Sequence, residues 1–217
     1  MNLARRLDIG LCQKIISMLH IRCQNPHNFT AQSRYLSCSG FFAPENIRME
    51  KLTSLVSALQ TQLRAEMSRT GVSYEDAAGP LNYANKSSIA RLLVKDRMSF
   101  EDTIKLMVLC KTPVIALTKP FRFKIEVKAS TMAQADALMD ALRVSVFKEG
   151  TTERYRLPDG LSWEQAAEYA GFDSGKSARK SWFLLQTPVY LVVGLLRLLG
   201  KSEHEVTEGK TSLRITM

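Results

Sequence analysis

Residues 71–78 read GVSYEDAA and residues 160–167 read GLSWEQAA, so one eight-residue pattern occurs twice, 89 positions apart. The similarity continues along the chain, and after a one-residue slip FKI at residues 123–125 corresponds to LRI at residues 213–215. Matching a helix start, a turn and a strand in the same order is the signature of an internal repeat. The sequence therefore predicts one structural unit that is present twice.

Each copy is predicted to contain short helices followed by a strand. Apolar residues recur at helical spacing from Leu52 to Met67, and Gly71 can end that helix in a left-handed conformation. Ser73 comes next, with Asp76 three residues later, which is the spacing of a capping box. The second copy has a Ser and a Gln at the same two positions, so the same helix start is expected there.

Further elements follow from periodicity along the rest of the chain. Helices are expected over residues 85–95, after Ser99, over 131–147 and over 189–199. Apolar and charged residues alternate over 121–127, which predicts a half-buried strand. Residues 152–157 and 213–217 are predicted to complete a small sheet with it.

These elements predict a mainly α protein with a small β component, an α+β fold in which two helical units are joined by a strand-helix-strand segment. The expected domain organisation is a leader over residues 1–48, a first unit over 49–118, the connector over 119–158, and a second unit with a C-terminal strand over 159–217.

The leader differs in composition from the rest of the chain. It carries six Arg or Lys against two acids, a net of +4 out of the chain's +9, and three of the four cysteines. Low acidity and scattered arginines resemble a mitochondrial presequence, and RYLS at residues 34–37 resembles a cleavage site. A mobile arm and upstream sequence before a start at Met49 are the alternatives. The expected location of the protein is accordingly the cytoplasm, for a bacterial or phage-encoded protein. The alternative is the mitochondrion, if residues 1–36 are a presequence.

The overall composition argues against several classes of protein. With 45% hydrophobic and 24% charged residues the chain is typical of a soluble globular protein, and its pI near 9.5 favours an anionic partner. The cysteines lack the spacing of a zinc site or a disulfide framework, and the three histidines have no predicted partners. We therefore predict no catalytic, metal-binding or cofactor-binding residues, and a protein that is not an enzyme.

The apolar segment over residues 182–199 is the one stretch that suggests a membrane span. Gln186, Pro188 and Arg197 interrupt it, and it is shorter than the roughly 20 apolar residues that a spanning helix needs. A buried helix is the expected structure, and no membrane partner is predicted.

Four residues of each copy occupy corresponding positions around a predicted turn between helices: Ala78, Asn82, Tyr83 and Ile89 in the first copy, and Ala167, Gly171, Phe172 and Ala178 in the second. The small alanine lets the two helices cross closely, and Asn or Gly in the turn tolerates a left-handed backbone. In these residues each copy resembles the helix-turn-helix of the phage repressor and Cro class. Both copies place the small residue and the inward apolar residue 11 positions apart, one more than the family does.

This resemblance implies a sequence-specific, repressor-like transcriptional regulator that binds double-stranded DNA with the third helix of each unit in the major groove. Arg and Lys can donate to guanine edges, Asn can pair with adenine, and Ser can bond phosphates or bases. Such chains could form a homodimer, and the sequence specifies neither the operator that they would bind nor an effector. The implied DNA contacts are Asn85, Lys86, Ser87, Ser88 and Arg91 in the first copy, and Ser174, Lys176, Ser177, Arg179 and Lys180 in the second.

Two other functions remain as alternatives. The duplicated helical unit could bind protein in a non-enzymatic interaction or assembly subunit, targeted to an organelle by the basic leader. Residues 170–177, AGFDSGKS, also match a relaxed phosphate-loop pattern. That loop needs a buried strand before it, whereas a helix is expected at this position, so nucleotide binding is disfavoured.

Overall fold

The structure, a computed structural model, describes residues 45–94, 98–146, 157–158, 160–183 and 186–217, with side chains from Leu52 onward. Helices and strands alternate in blocks along these ranges, which confirms the predicted mixture of α and β structure. In chain order the elements are α1 (Glu45–Thr70), α2 (Tyr74–Ala78), α3 (Lys86–Leu92), α4 (Phe100–Leu109), β1 (Val114–Leu117), β2 (Phe123–Lys128), α5 (Met132–Ser145), α6 (Trp163–Ala170), α7 (Gly175–Phe183), α8 (Val189–Leu198), β3 (Glu203–Glu208) and β4 (Thr211–Thr216).

Both halves of the described chain have the same order of elements, four helices and then two strands. The sequence places β2 and α5 in a connector between two units. In the structure β2 instead forms a hairpin with β1, and α5 takes the position in the second half that α1 has in the first. The strand predicted over 152–157 lies outside the described residues except for Leu157, which is not in a strand.

The four strands form one antiparallel sheet in the order β1-β2-β4-β3. Alternate residues of the central strands, among them Phe123 and Leu213, are buried against the helices, as the period of two requires. The opposite face is polar, and Arg214 there donates to Glu205 across β3 and β4 at 2.7 Å. The sheet thus has one core face and one charged face.

The central strand pair lies on an approximate two-fold axis that relates the two halves. Ile125 faces Ile215, and these are equivalent residues of the repeat, which has an offset of 90 in this region. On one side of this pair Lys124 faces Thr216, and on the other side Glu126 faces Arg214. Arg214 is the equivalent of Lys124 and Thr216 is the equivalent of Glu126, so the second pair repeats the first with the two halves exchanged. Equivalent residues meet each other only on a symmetry axis, so the axis passes between the two isoleucines.

A second contact between equivalent residues places the same axis among the helices. Ser99 and Pro188, 89 positions apart, form an isolated antiparallel bridge. Phe100 N donates to Thr187 O at 2.7 Å, and the equivalent bond runs from Val189 N to Met98 O at 2.9 Å. The helical parts of the two halves therefore meet with the same symmetry as the strands.

The core is shared by both halves, and the described residues belong to one compact unit. The predicted apolar stripe of α1 is confirmed, since its members from Leu52 to Met67 are buried. Trp182 is fully buried in α7 and its Nε1 donates to the Arg143 carbonyl of α5 at 3.2 Å. Burial of this kind is the main stabilising contribution to the fold.

A buried cluster of charges joins α4 to α5. Glu101 accepts from Lys105 at 3.0 Å and from Arg143 at 3.1 Å, and all three side chains are less than a tenth exposed. Lys105 also contacts Asp136 at 2.7 Å. Because each cation is matched by carboxylates, the cluster satisfies its charges internally, and removing one partner would leave a buried charge without its counterpart.

Candidate nucleic-acid interface

The start of α3 is fixed by a side-chain cap. Asn85 is extended, and its Oδ1 accepts from the backbone N–H of Ser88 at 3.0 Å and from its hydroxyl at 3.2 Å. Asn82 has φ of +59°, the left-handed turn that the sequence predicts before this helix. Lys86 lies 3.7 Å from Glu75, but both side chains are exposed, so this ion pair restrains Lys86 only weakly.

The start of α7 is built in the same way. Ser174 Oγ accepts from the backbone N–H of Ser177 at 3.2 Å and donates to its hydroxyl at 3.1 Å. Gly171 has φ of +69° in the preceding turn, again as the sequence predicts. Lys176 and Lys180 are exposed on this helix, so α7 presents a basic surface like that of α3.

Gly175 is explained by the packing of α6 against α7. A Cβ added at this position would lie 2.6 Å from Glu164 Oε1 and 2.7 Å from Glu164 N. In the first copy the equivalent residues are Lys86 and Glu75, which contact each other through their side chains instead. The glycine of AGFDSGKS is thus required by a close helix crossing, and α6 occupies the place where a phosphate loop needs a strand.

A cleft of about 310 Å³ lies on the two-fold axis between α3 and α7. Pairs of equivalent residues contribute to both of its sides, so the two helices lie next to each other at the same end of the axis. The lining residues are Tyr83 and Phe172, Leu92 and Ser181, Ser99 and Pro188, together with Ser88, Asp102, Gln186 and Tyr190.

The ten residues that the sequence predicts as DNA contacts all lie on the two helices beside this cleft or on their caps. Ser88 is the exception to the predicted exposure, because it is half-buried and lines the cleft. The other nine are exposed: Asn85, Lys86, Ser87, Arg91, Ser174, Lys176, Ser177, Arg179 and Lys180.

Comparison with protein-family models, with curated proteins and with solved structures found no match. Across the described ranges, no helix is both long enough and apolar enough to span a membrane. The same residues contain no group of three or more His, Cys, Asp or Glu that could hold a metal ion.

One polar pair in the cleft was not predicted from the sequence. Tyr83 donates its hydroxyl to Asp102 Oδ2 at 2.9 Å, and burial raises the pKa of Asp102 to about 6. Burial, with the Asp102 charge, also raises the pKa of Tyr83. The repeat contains the signal that could have revealed this pair, since the second copy replaces both partners together, with Phe172 and Leu191.

A Ser–His contact elsewhere in the molecule resembles part of a hydrolase site. Ser145 Oγ lies 2.7 Å from His204 Nε2, and Lys201 Nζ lies 3.2 Å from the other ring nitrogen, Nδ1. The lysine ammonium can only donate, so Nδ1 accepts and the ring hydrogen is on Nε2. Burial lowers the pKa of His204 to about 4, which also favours the neutral ring. His204 in this tautomer donates to Ser145 and cannot act as its base.

Proposed function

We propose that this protein is a sequence-specific regulator of transcription that binds double-stranded DNA through α3 and α7. The observation that supports it is the pair of capped helices with exposed cations on either side of a two-fold axis. A DNA duplex has local two-fold symmetry of its own, so a protein surface with the same symmetry can contact both strands equivalently. The proposed mechanism is occupation of a promoter site, without chemistry.

The contacts of the individual side chains divide the roles between them. Asn85, Ser174 and Ser177 use their side-chain oxygens within the caps, so they hold the helix starts in place. Lys86 and Lys176, in the first turns, are the proposed phosphate contacts. Base edges are assigned to the remaining exposed side chains of the two helices, namely Ser87, Arg91, Arg179 and Lys180.

The closeness of α3 and α7 limits the DNA site that one chain can cover. Recognition helices of dimeric repressors enter major grooves about 34 Å apart. Two helices that line one cleft of about 310 Å³ are much closer than that. One chain is accordingly expected to occupy a single short site with near-palindromic symmetry rather than two half-sites one turn apart.

Salt dependence of binding to a duplex tests the proposal. Fluorescence anisotropy with a labelled duplex should give an affinity that falls steeply with salt, because each phosphate contact releases condensed counterions. Replacing Lys86 and Lys176 together by Ala should reduce the slope of log K against log salt by about 1 for each phosphate that is no longer neutralised. The charge-matched control replaces Lys128 and Lys210, two exposed lysines of the sheet region, and should leave the slope unchanged.

Selection of bound sequences from a random pool supplies the test of specificity. Arg91→Ala should weaken binding to the selected sequence by about 1–3 kcal/mol and relax the preference at one base position. A slope near zero for the unmodified protein would overturn DNA binding altogether. Equal weakening in the helix and sheet lysine variants would instead show non-specific attraction to a basic protein.

A further inference from the structure

We propose that the cleft on the two-fold axis is a binding site for a small organic cation, whose ammonium group contacts the Asp102 carboxylate and the aromatic side chains beside it. Ligand binding in this cleft is independent of the proposed DNA interaction. Three features of the cleft favour an organic cation, namely the position of one carboxyl group, the aromatic rings that share the lining and the charges near the carboxyl group.

Asp102 is largely buried but lines the cleft. Its Oδ2 accepts from Tyr83, and its backbone N–H donates to Ser99 Oγ at 3.3 Å in the cap of α4. Aromatic residues contribute to both sides of the same cleft, and the ring centroids of Phe172 and Tyr190 are 5.6 Å apart. A carboxylate beside aromatic rings is the arrangement that proteins use to bind organic ammonium groups.

The charge of Asp102 is poorly compensated by the protein itself. Glu101 on the same helix repels it, and Lys105, whose charge favours its ionised form, is held by Glu101 and Asp136. The other polar side chains that line the cleft are two tyrosines, three serines and a glutamine, and none of them is a cation. Burial disfavours the negative charge of Asp102, and a bound cation would stabilise that charge by lying next to it.

The composition of the cleft distinguishes between kinds of ligand. A single carboxylate with neutral hydroxyls offers too few oxygen ligands for calcium or magnesium. A phosphate or carboxylate ligand would be repelled by Asp102. The second copy contributes Phe172 and Pro188 to the lining of the same cleft, so the cleft combines one negative group with apolar surface. An ammonium group that carries carbon substituents matches both.

Choline and its neutral isostere 3,3-dimethylbutan-1-ol are the matched probes, since they differ in charge and hardly in shape. The full chain, labelled with ¹⁵N, is titrated with each probe and followed by amide chemical shifts. We expect choline to give saturable shifts at residues of the cleft, such as Ser88 and Ser181, and the alcohol to give none. Lowering the pH from about 7.5 to about 5 should weaken choline binding about tenfold, because Asp102 takes up a proton.

Asp102→Asn keeps an acceptor for Tyr83 and should weaken choline binding at least tenfold, whereas Glu208→Gln, at an exposed position of β3, should leave it unchanged. Tyr83→Phe, which retains the carboxylate, should still bind choline and shows whether the cleft itself is intact. Equal binding of choline and the alcohol, unchanged binding in Asp102→Asn, or no saturable shift with choline in the unmodified protein would each overturn the proposal.

Discussion

Replacing Gly175 by Ala tests the close packing of α6 and α7. The added Cβ would lie 2.7 Å from both the Glu164 nitrogen and the Trp163 carbonyl carbon, and 2.6 Å from Glu164 Oε1. The carboxylate can rotate away, but the two backbone atoms cannot, so the start of α7 must move. Overpacking of this kind lowers the free energy of unfolding by about 1–3 kcal/mol, and we expect about 2 kcal/mol here.

Urea unfolding followed by tryptophan fluorescence measures this change at the contact itself. The two tryptophans of the chain, Trp163 and Trp182, lie in α6 and α7. With a denaturant dependence of about 2 kcal/mol per molar urea, the midpoint should fall by about 1 M.

Gly79→Ala is the matched control, because Gly79 has φ of −60° and nothing lies within 4 Å of its added Cβ. That variant should be neutral or stabilised by up to about 1 kcal/mol. An unchanged midpoint for Gly175→Ala would refute the packing argument. An equal fall in both variants would show that loss of glycine, rather than the contact with α6, is responsible.

Three further measurements test other parts of the structure. Asn85→Ala removes the cap of α3 and should lower the free energy of unfolding in urea by about 1 kcal/mol, and no change would mean that the cap bond is not formed. Arg143→Met leaves the buried Glu101 with Lys105 as its remaining cation in the cluster and should cost about 3 kcal/mol, whereas a cost below about 1 kcal/mol would contradict its burial. The pKa of His204 is lowered to about 4, so its stabilisation, present above its unfolded pKa near 6.5, is lost as the pH falls toward 4. The pKa of Asp102 is raised to about 6, so its stabilisation, present below its unfolded pKa near 3.8, is lost as the pH rises toward 6. Between about pH 4 and 6 the contribution of His204 to the free energy of unfolding rises with pH, and the contribution of Asp102 falls. The urea midpoint should therefore rise more steeply with pH in Asp102→Asn than in the unmodified protein. In His204→Gln it should rise less steeply. Parallel pH profiles for all three proteins would contradict both assignments.

The helix starts and turns were predictable because they depend on residues a few positions apart. The capping boxes of Ser73 and Ser162 are both present in the structure, with Asp76 and Gln165 as their partners. Gly71, at the end of α1, adopts the left-handed conformation, as do the turn residues that precede α3 and α7. Each of these features is decided within one turn of the chain, so sequence pattern was sufficient.

The edge strands and the polar pair of the cleft depend on distant residues and escaped prediction. β3 reads EHEVTE, too acidic to suggest a strand, and becomes one because β4 supplies its hydrogen-bond partners. β1 is four residues long, and β2 is its one partner among the strands that the structure describes. Tyr83 and Asp102 are 19 positions apart and no local spacing connects them. The two edge strands and the Tyr83–Asp102 pair all form through contacts between distant parts of the chain. A local sequence pattern carries no information about such contacts.

The pairing of β2 with β4 also has a consequence for how the chain folds. These strands are about 90 residues apart, so the central hydrogen bonds form only after a long loop has closed, which is slow. A chain that contained one half alone would leave the edge of its inner strand unpaired, ready to join the same strand of another copy. Ile125 facing Ile215 marks the place where the same strand of two such half-chains would meet, so a step that would need two separate molecules takes place here within one chain.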